Sequence, residues 1–95
     1  MNIEMTRTCD TAPVQYEGTV EDKSFYFRAR WDEWSFTVAD SLEEAVDGFS
    51  EGEIFLRTGS FGDNQHPNAA SHMPHQEAER IIQACAAEYL SQRNR

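Results

Sequence analysis

Between Ser24 and Ala39 the chain reads SFYFRARWDEWSFTVA. Phe25, Phe27, Ala29 and Trp31 alternate with Tyr26, Arg28 and Arg30. After Asp32-Glu33 the alternation resumes, with Trp34, Phe36 and Val38 against Ser35, Thr37 and Ala39. A period of two in aromatic and β-branched residues is the mark of strands with one apolar and one polar face. The stretch predicts a hairpin with a two-residue Asp32-Glu33 loop, which sets Trp31 against Trp34. Neither loop residue takes a positive φ readily, so the turn type stays open.

The flanking chain fits around this hairpin. Val14, Tyr16 and Val20 alternate with Gln15, Glu17 and Thr19, which predicts a preceding strand. Gly18 falls on its apolar face, where it marks a bulge or makes room for a ring. A turn at Glu21–Ser24 with Val20 facing Phe25 would set Glu17 opposite Arg28 and Gln15 opposite Arg30. Residues 1–13 are polar and without period, and are expected to be a flexible tail, with a short edge strand as the alternative.

After the hairpin, Ser41 and Glu44 have the spacing of a capping box. Leu42, Ala45, Val46 and Phe49 then share a helical face, and Gly48 ends the helix after about two turns. Ile54–Thr58 reads as a fourth strand. Gly59–Met73 reads as a long loop, a kind of segment that is often functional. Pro74 suits the first position of a last helix. On that helix Ala78, Ile81, Ile82, Cys85, Ala86, Tyr89 and Leu90 form an apolar stripe. The expected architecture is βββ-α-β-α, an α+β domain over residues 14–95. It has an antiparallel sheet of about four strands and both helices on one face.

A chain of 95 residues has room for one core, and six Phe, two Trp and three Tyr can fill it. Charge bears more on function. There are 17 acids against 8 bases, a net charge of −9. Direct nucleic-acid binding needs clustered Lys and Arg, so it is not expected, and neither is an anionic membrane surface. A basic protein or ribonucleoprotein complex is the partner this charge favours. No segment has the length of a signal peptide or a membrane span, so a cytoplasmic location is expected, with Cys9 and Cys85 reduced. Cys85, on the apolar stripe, is expected to be a buried thiol.

The acids are unevenly placed. Between Arg30 and Arg57 there is no Lys or Arg. That interval holds Asp32, Glu33, Asp40, Glu43, Glu44, Asp47, Glu51 and Glu53. Such a run is ordinarily a solvated face. Its functional reading is an array of carboxylates that mimics phosphates before a basic groove on a partner. A secondary partner-binding candidate is the sheet face carrying Tyr26, Arg28 and Arg30, since Tyr and Arg favour interfaces.

Other chemistry finds less support. His66, His72 and His75 lie within ten residues, but their spacing matches no zinc pattern, so no metal or cofactor is expected. No Cys or Ser stands in a motif with a base. Gly59-Ser60-Phe61-Gly62 lacks the lysine and the following helix of a phosphate loop. The chain is therefore not expected to be an enzyme.

In size, acidity and lack of catalytic motifs, the chain resembles the small proteins that phages and mobile elements encode against host defence, among them anti-CRISPR proteins. The resemblance covers no aligned motif and carries over no functional residue. It implies a stoichiometric inhibitor that occupies a nucleic-acid or partner-binding surface of a defence complex in the bacterial host cell. The alternatives are an α+β interaction domain that forms a homodimer through its sheet, and a metal protein or enzyme built on the histidine loop.

Overall fold

The computed structural model describes residues 3–9, 14–48, 54–61 and 73–93. Its elements are β1 (Ile3–Cys9), β2 (Val14–Val20), β3 (Lys23–Arg30), β4 (Glu33–Ala39), α1 (Leu42–Asp47), β5 (Phe55–Ser60) and α2 (His75–Arg93). The strands form one antiparallel sheet in the order β1-β2-β3-β4-β5. The fold is α+β, with five strands where about four were expected. The additional strand is β1, which occupies most of the expected tail. Its Ile3 and Met5 pack against the core, and two apolar residues on a short strand are a weak periodic signal.

The alternation at the hairpin sorts the side chains as their spacing predicts. Phe25, Phe27, Ala29, Phe36 and Val38 are buried, together with Val14, Tyr16 and Val20 of β2. α2 lays Ala78, Ile81, Ile82, Cys85 and Ala86 into the same core, and Trp34, Tyr89 and Leu90 pack at its margin. Phe36 stacks on Phe25 at 5.4 Å, and Phe55 meets Tyr89 edge-on at 5.3 Å. Met73, placed in the loop by the sequence, is a core residue at 2 % exposure. Gly59, also assigned to that loop, lies in β5 opposite Trp34. A Cβ there would stand 2.6 Å from the indole Nε1, so the ring takes the space a side chain would need. At Gly18 a Cβ would run first into the Glu4 carbonyl of the neighbouring β1 and would also stand 2.8 Å from the Phe25 ring, so backbone and ring together require the glycine.

Both hairpins differ from expectation in register. Val20 pairs with Lys23, and Arg30 pairs with Glu33. The two-residue loops are therefore Glu21-Asp22 and Trp31-Asp32, each opening on a non-glycine residue at positive φ, 56° for Glu21 and 59° for Trp31. Gln15 faces Arg28 and Glu17 faces Tyr26, in place of Arg30 and Arg28. Ala29, not Trp31, faces Trp34. Each slip is of two residues in pairing sum, which leaves the strand side chains on their expected faces, while Trp31, expected on the apolar face, moves into the loop and is exposed.

The two helices do not share a face. Ala39 of β4 and Ala45 of α1 are both buried yet lie outside the α2 core. Ala39 and Thr37 alternate away from Phe36 and Val38, and α1 packs against β3 and β4. The short helix thus closes part of the second sheet face near the Ala39 end. Of its predicted stripe only Ala45 is buried, with Leu42 at 37 % and Val46 at 47 % exposure, while Phe49 lies outside the described residues. Pro74 precedes α2, and its carbonyl accepts the first helical bond, from Ala78 N at 3.0 Å. That makes it the cap residue and not the first helical one.

Candidate functional site: an acidic end of the sheet

Strand direction decides which acids meet. β3 begins where β4 ends, since Ser24 pairs with Ala39. The Glu21-Asp22 turn therefore shares one end of the sheet with Asp40 and with the α1 that follows it. Glu33 begins β4 and Asp40 follows its last residue. The two are about 20 Å apart along the strand at some 3.3 Å per residue. The run of acids in the sequence is thus divided. Asp32 and Glu33 lie at the far end, beside Arg30 and Trp31. Asp40, Glu43, Glu44 and Asp47 stay together, and Glu51 and Glu53 lie outside the described residues. Glu21 and Asp22 join the near cluster. Sequence distance separated them from it, and the antiparallel order of β2, β3 and β4 brings them to it.

α1 is shaped by its cap. Ser41 is extended, at φ −133° and ψ 158°, and its Oγ accepts from Glu44 N at 3.2 Å. The same hydroxyl donates to the Glu44 carboxylate at 2.9 Å. Gly48 closes the helix in the left-handed region at φ 71°, with its N–H on the Glu44 carbonyl. Glu44 is therefore part of the cap. Glu43 and Asp47 are exposed one turn apart on the same side of the helix. Like charges at that spacing are mildly destabilising, and an aspartate at a helix C-terminus opposes the dipole. No basic residue offsets it in the last turn.

The cations at this end among the described residues are engaged by acids. Lys23 Nζ lies 2.6 Å from Asp40 Oδ1, and Arg93 Nη1 lies 2.6 Å from Asp22 Oδ1. The bond from Arg93 holds the Asp22 carboxyl below its ordinary range, and the bond to Asp40 raises Lys23. α2 brings its C-terminus here, which adds the negative end of a 19-residue helix. A cavity of about 600 Å³ opens between that last turn and the strand ends, lined by Val38, Phe55 and Tyr89 with Lys23, Asp40 and Arg93. Its charged lining consists of groups in these ion pairs, so the cavity is locally balanced beside a more acidic surface.

The secondary candidate is not one continuous patch either. Tyr26 and Arg28 are half-buried in the middle of the second sheet face, between Glu17 and Thr37 and between Gln15 and Ser35. Arg30 is exposed at the far end, stacked on Trp31 with 4.4 Å from guanidinium carbon to ring centroid. Trp31 is 58 % exposed.

His75 accepts from Arg7 Nη1 at 3.3 Å and so ties β1 to the start of α2. His66 and His72 lie outside the described residues. Among the described residues no group of three His, Cys, Asp or Glu is arranged to hold a metal ion. Near His75, Tyr16 donates to Glu79 at 3.4 Å, and burial, then the Glu79 carboxylate, raises the Tyr16 pKa. Cys85 is a free, buried thiol. Among the described residues no helix is long and apolar enough to cross a membrane. No protein-family model, no curated protein and no solved structure matches the chain.

Proposed function

We propose that the chain is a non-catalytic inhibitor of the anti-CRISPR kind, acting in the cytoplasm of a bacterial host. In this reading its acidic end occupies a basic nucleic-acid-binding or partner surface of a host defence complex. One observation carries the reading. Carboxylates from separate stretches of chain, Glu21 and Asp22, Asp40, then Glu43 and Asp47, meet at one end of the sheet, where Lys23 and Arg93 are engaged in ion pairs. Asp47, an acid in the last turn of α1 with no basic residue beside it, is placed against local helix stability, which suits a role in binding more than one in folding. Concentration at one end matters because charges are screened over about 8 Å at physiological salt. A contact site then depends on local density and not on the total of −9.

The acidic end would speed encounter with a basic surface and oppose like-charged partners. The balanced cavity beside it offers a recess of mixed lining for an anchoring side chain, with Val38, Phe55 and Tyr89 set among groups that need not lose their ion pairs. Direct binding to nucleic acid is no part of this function.

The test is dose dependence. The chain is co-expressed at graded levels with a nuclease-based defence system of the host, and phage survival is plated. A stoichiometric inhibitor protects in proportion to its amount and saturates near equivalence with the defence complex. Protection at levels far below equivalence would indicate turnover, and absence of protection against every such system would remove the proposal.

A further inference from the structure

Across the middle of the second sheet face runs a polar row, Gln15, Arg28, Ser35 and Thr58 on β2, β3, β4 and β5. Its one cation is an exception among the described Lys and Arg. Lys23, Arg57, Arg80 and Arg93 each hold a carboxylate, Arg7 lies on His75, and Arg30 stacks on Trp31. Arg28 has no such partner among the described residues, and its Nε is buried without an acceptor. That is so in a chain with 17 acids against 8 bases. Two of those acids, Glu17 and Glu33, stand diagonally across from Arg28 on the same face, about 7–8 Å away. Nε takes neither as acceptor.

We infer that Arg28 receives a carboxylate from a partner protein, an Asp or Glu side chain laid on the middle of this face. A buried donor without an acceptor costs free energy. Turning Nε out of the sheet onto a carboxylate replaces that unmet donor with a charge-assisted bond. A guanidinium pairs with a carboxylate side-on through two parallel bonds, and Nε is one of the donors that pairing uses. The Gln15 amide and the Ser35 and Thr58 hydroxyls flank the position as further donors.

The number of charges selects the anion. A nucleic-acid backbone needs clustered cations, whereas this row has a single cation with Glu17 and Glu33 diagonal to it. One singly charged carboxylate fits that balance. The row is on an open strand surface, with Thr58 exposed at its β5 end, and so can meet another protein. From Ser35 to Ala39 is about 13 Å along β4, so the site is separate from the acidic end and does not depend on it.

The experiment follows the arginine Nε–H signals of the full chain by NMR. The probe is a capped tripeptide with a central glutamate, and the control is its glutamine counterpart at equal ionic strength. The Arg28 signal should shift saturably with the glutamate peptide, in the millimolar range, and stay still with the glutamine peptide. The Arg80 signal, held by Glu77, should move with neither. Glu17→Gln removes a competing charge and should tighten binding about three- to tenfold. Arg28→Met should abolish the saturable shifts of the Gln15 and Ser35 backbone amides. It should also leave the thermal midpoint unchanged or higher, since it removes a donor that the fold leaves unmet. Absence of a saturable shift, or equal shifts with both peptides, would overturn the assignment. So would tighter binding of inorganic phosphate than of the glutamate peptide. A clear fall in the midpoint of Arg28→Met would overturn it too, because the guanidinium would then serve the fold.

Discussion

Phe27 is fully buried, with Tyr16 edge-on at 6.3 Å and Trp34 tilted at 6.1 Å. Phe27→Ala empties a site walled on two sides by rings and should cost about 3–5 kcal/mol in denaturant unfolding. A loss under about 1 kcal/mol would contradict its place in the core. Cys85 makes a prediction in pH. Burial, and then the Glu88 charge, push its thiol up to about 11 from an ordinary 9.0. Between those values the unfolded chain binds fewer protons than the folded one, so stability falls as pH rises through that window. The raised Tyr16 hydroxyl adds to the loss further up the scale. Unfolding followed across the window should show a shallower alkaline decline in Cys85→Ala than in wild type. Equal slopes would mean that the thiol already meets water in the folded state.

The strands were legible because Phe25, Phe27, Phe36 and Val38 declare a face whatever the register. The registers were not, because Glu21 and Trp31 take a positive φ that residue preference gives to Gly or Asn. β1 offered little period, and α1 offered a stripe of which, among the described residues, only Ala45 is buried. The cap was legible in the Ser41–Glu44 spacing, since it is a local hydrogen-bond pattern independent of tertiary contacts. Ser41→Ala should cost about 1 kcal/mol, read as a lower denaturation midpoint. An unchanged midpoint would show that α1 contributes nothing to the cooperative unit. Glu44 belongs to this cap as well, so its replacement disturbs helix and charge together and is a poor probe of binding.

At the scale of the molecule, the sequence shows that acids cluster, while the sheet decides which of them meet. Asp32 and Glu33 belong to the run in the sequence but lie at the far end of β4, whereas Glu21 and Asp22 enter the cluster from a different hairpin. That grouping needs strand order and direction, which side-chain periodicity does not carry. It also changes which control is informative. Glu77, Glu79 and Glu88 hold Arg80, Tyr16 and Arg57, so reversing them would break folded contacts. Asp32 and Glu33 are exposed acids remote from the proposed contact. The most direct test is phage survival under host defence with two charge-reversed variants at matched expression. Glu21→Lys/Glu43→Lys/Asp47→Lys should lose most of the protection while folding normally, and Asp32→Lys/Glu33→Lys should keep it. Equal protection from both variants, or loss confined to the second, would contradict an acidic end that makes the functional contact.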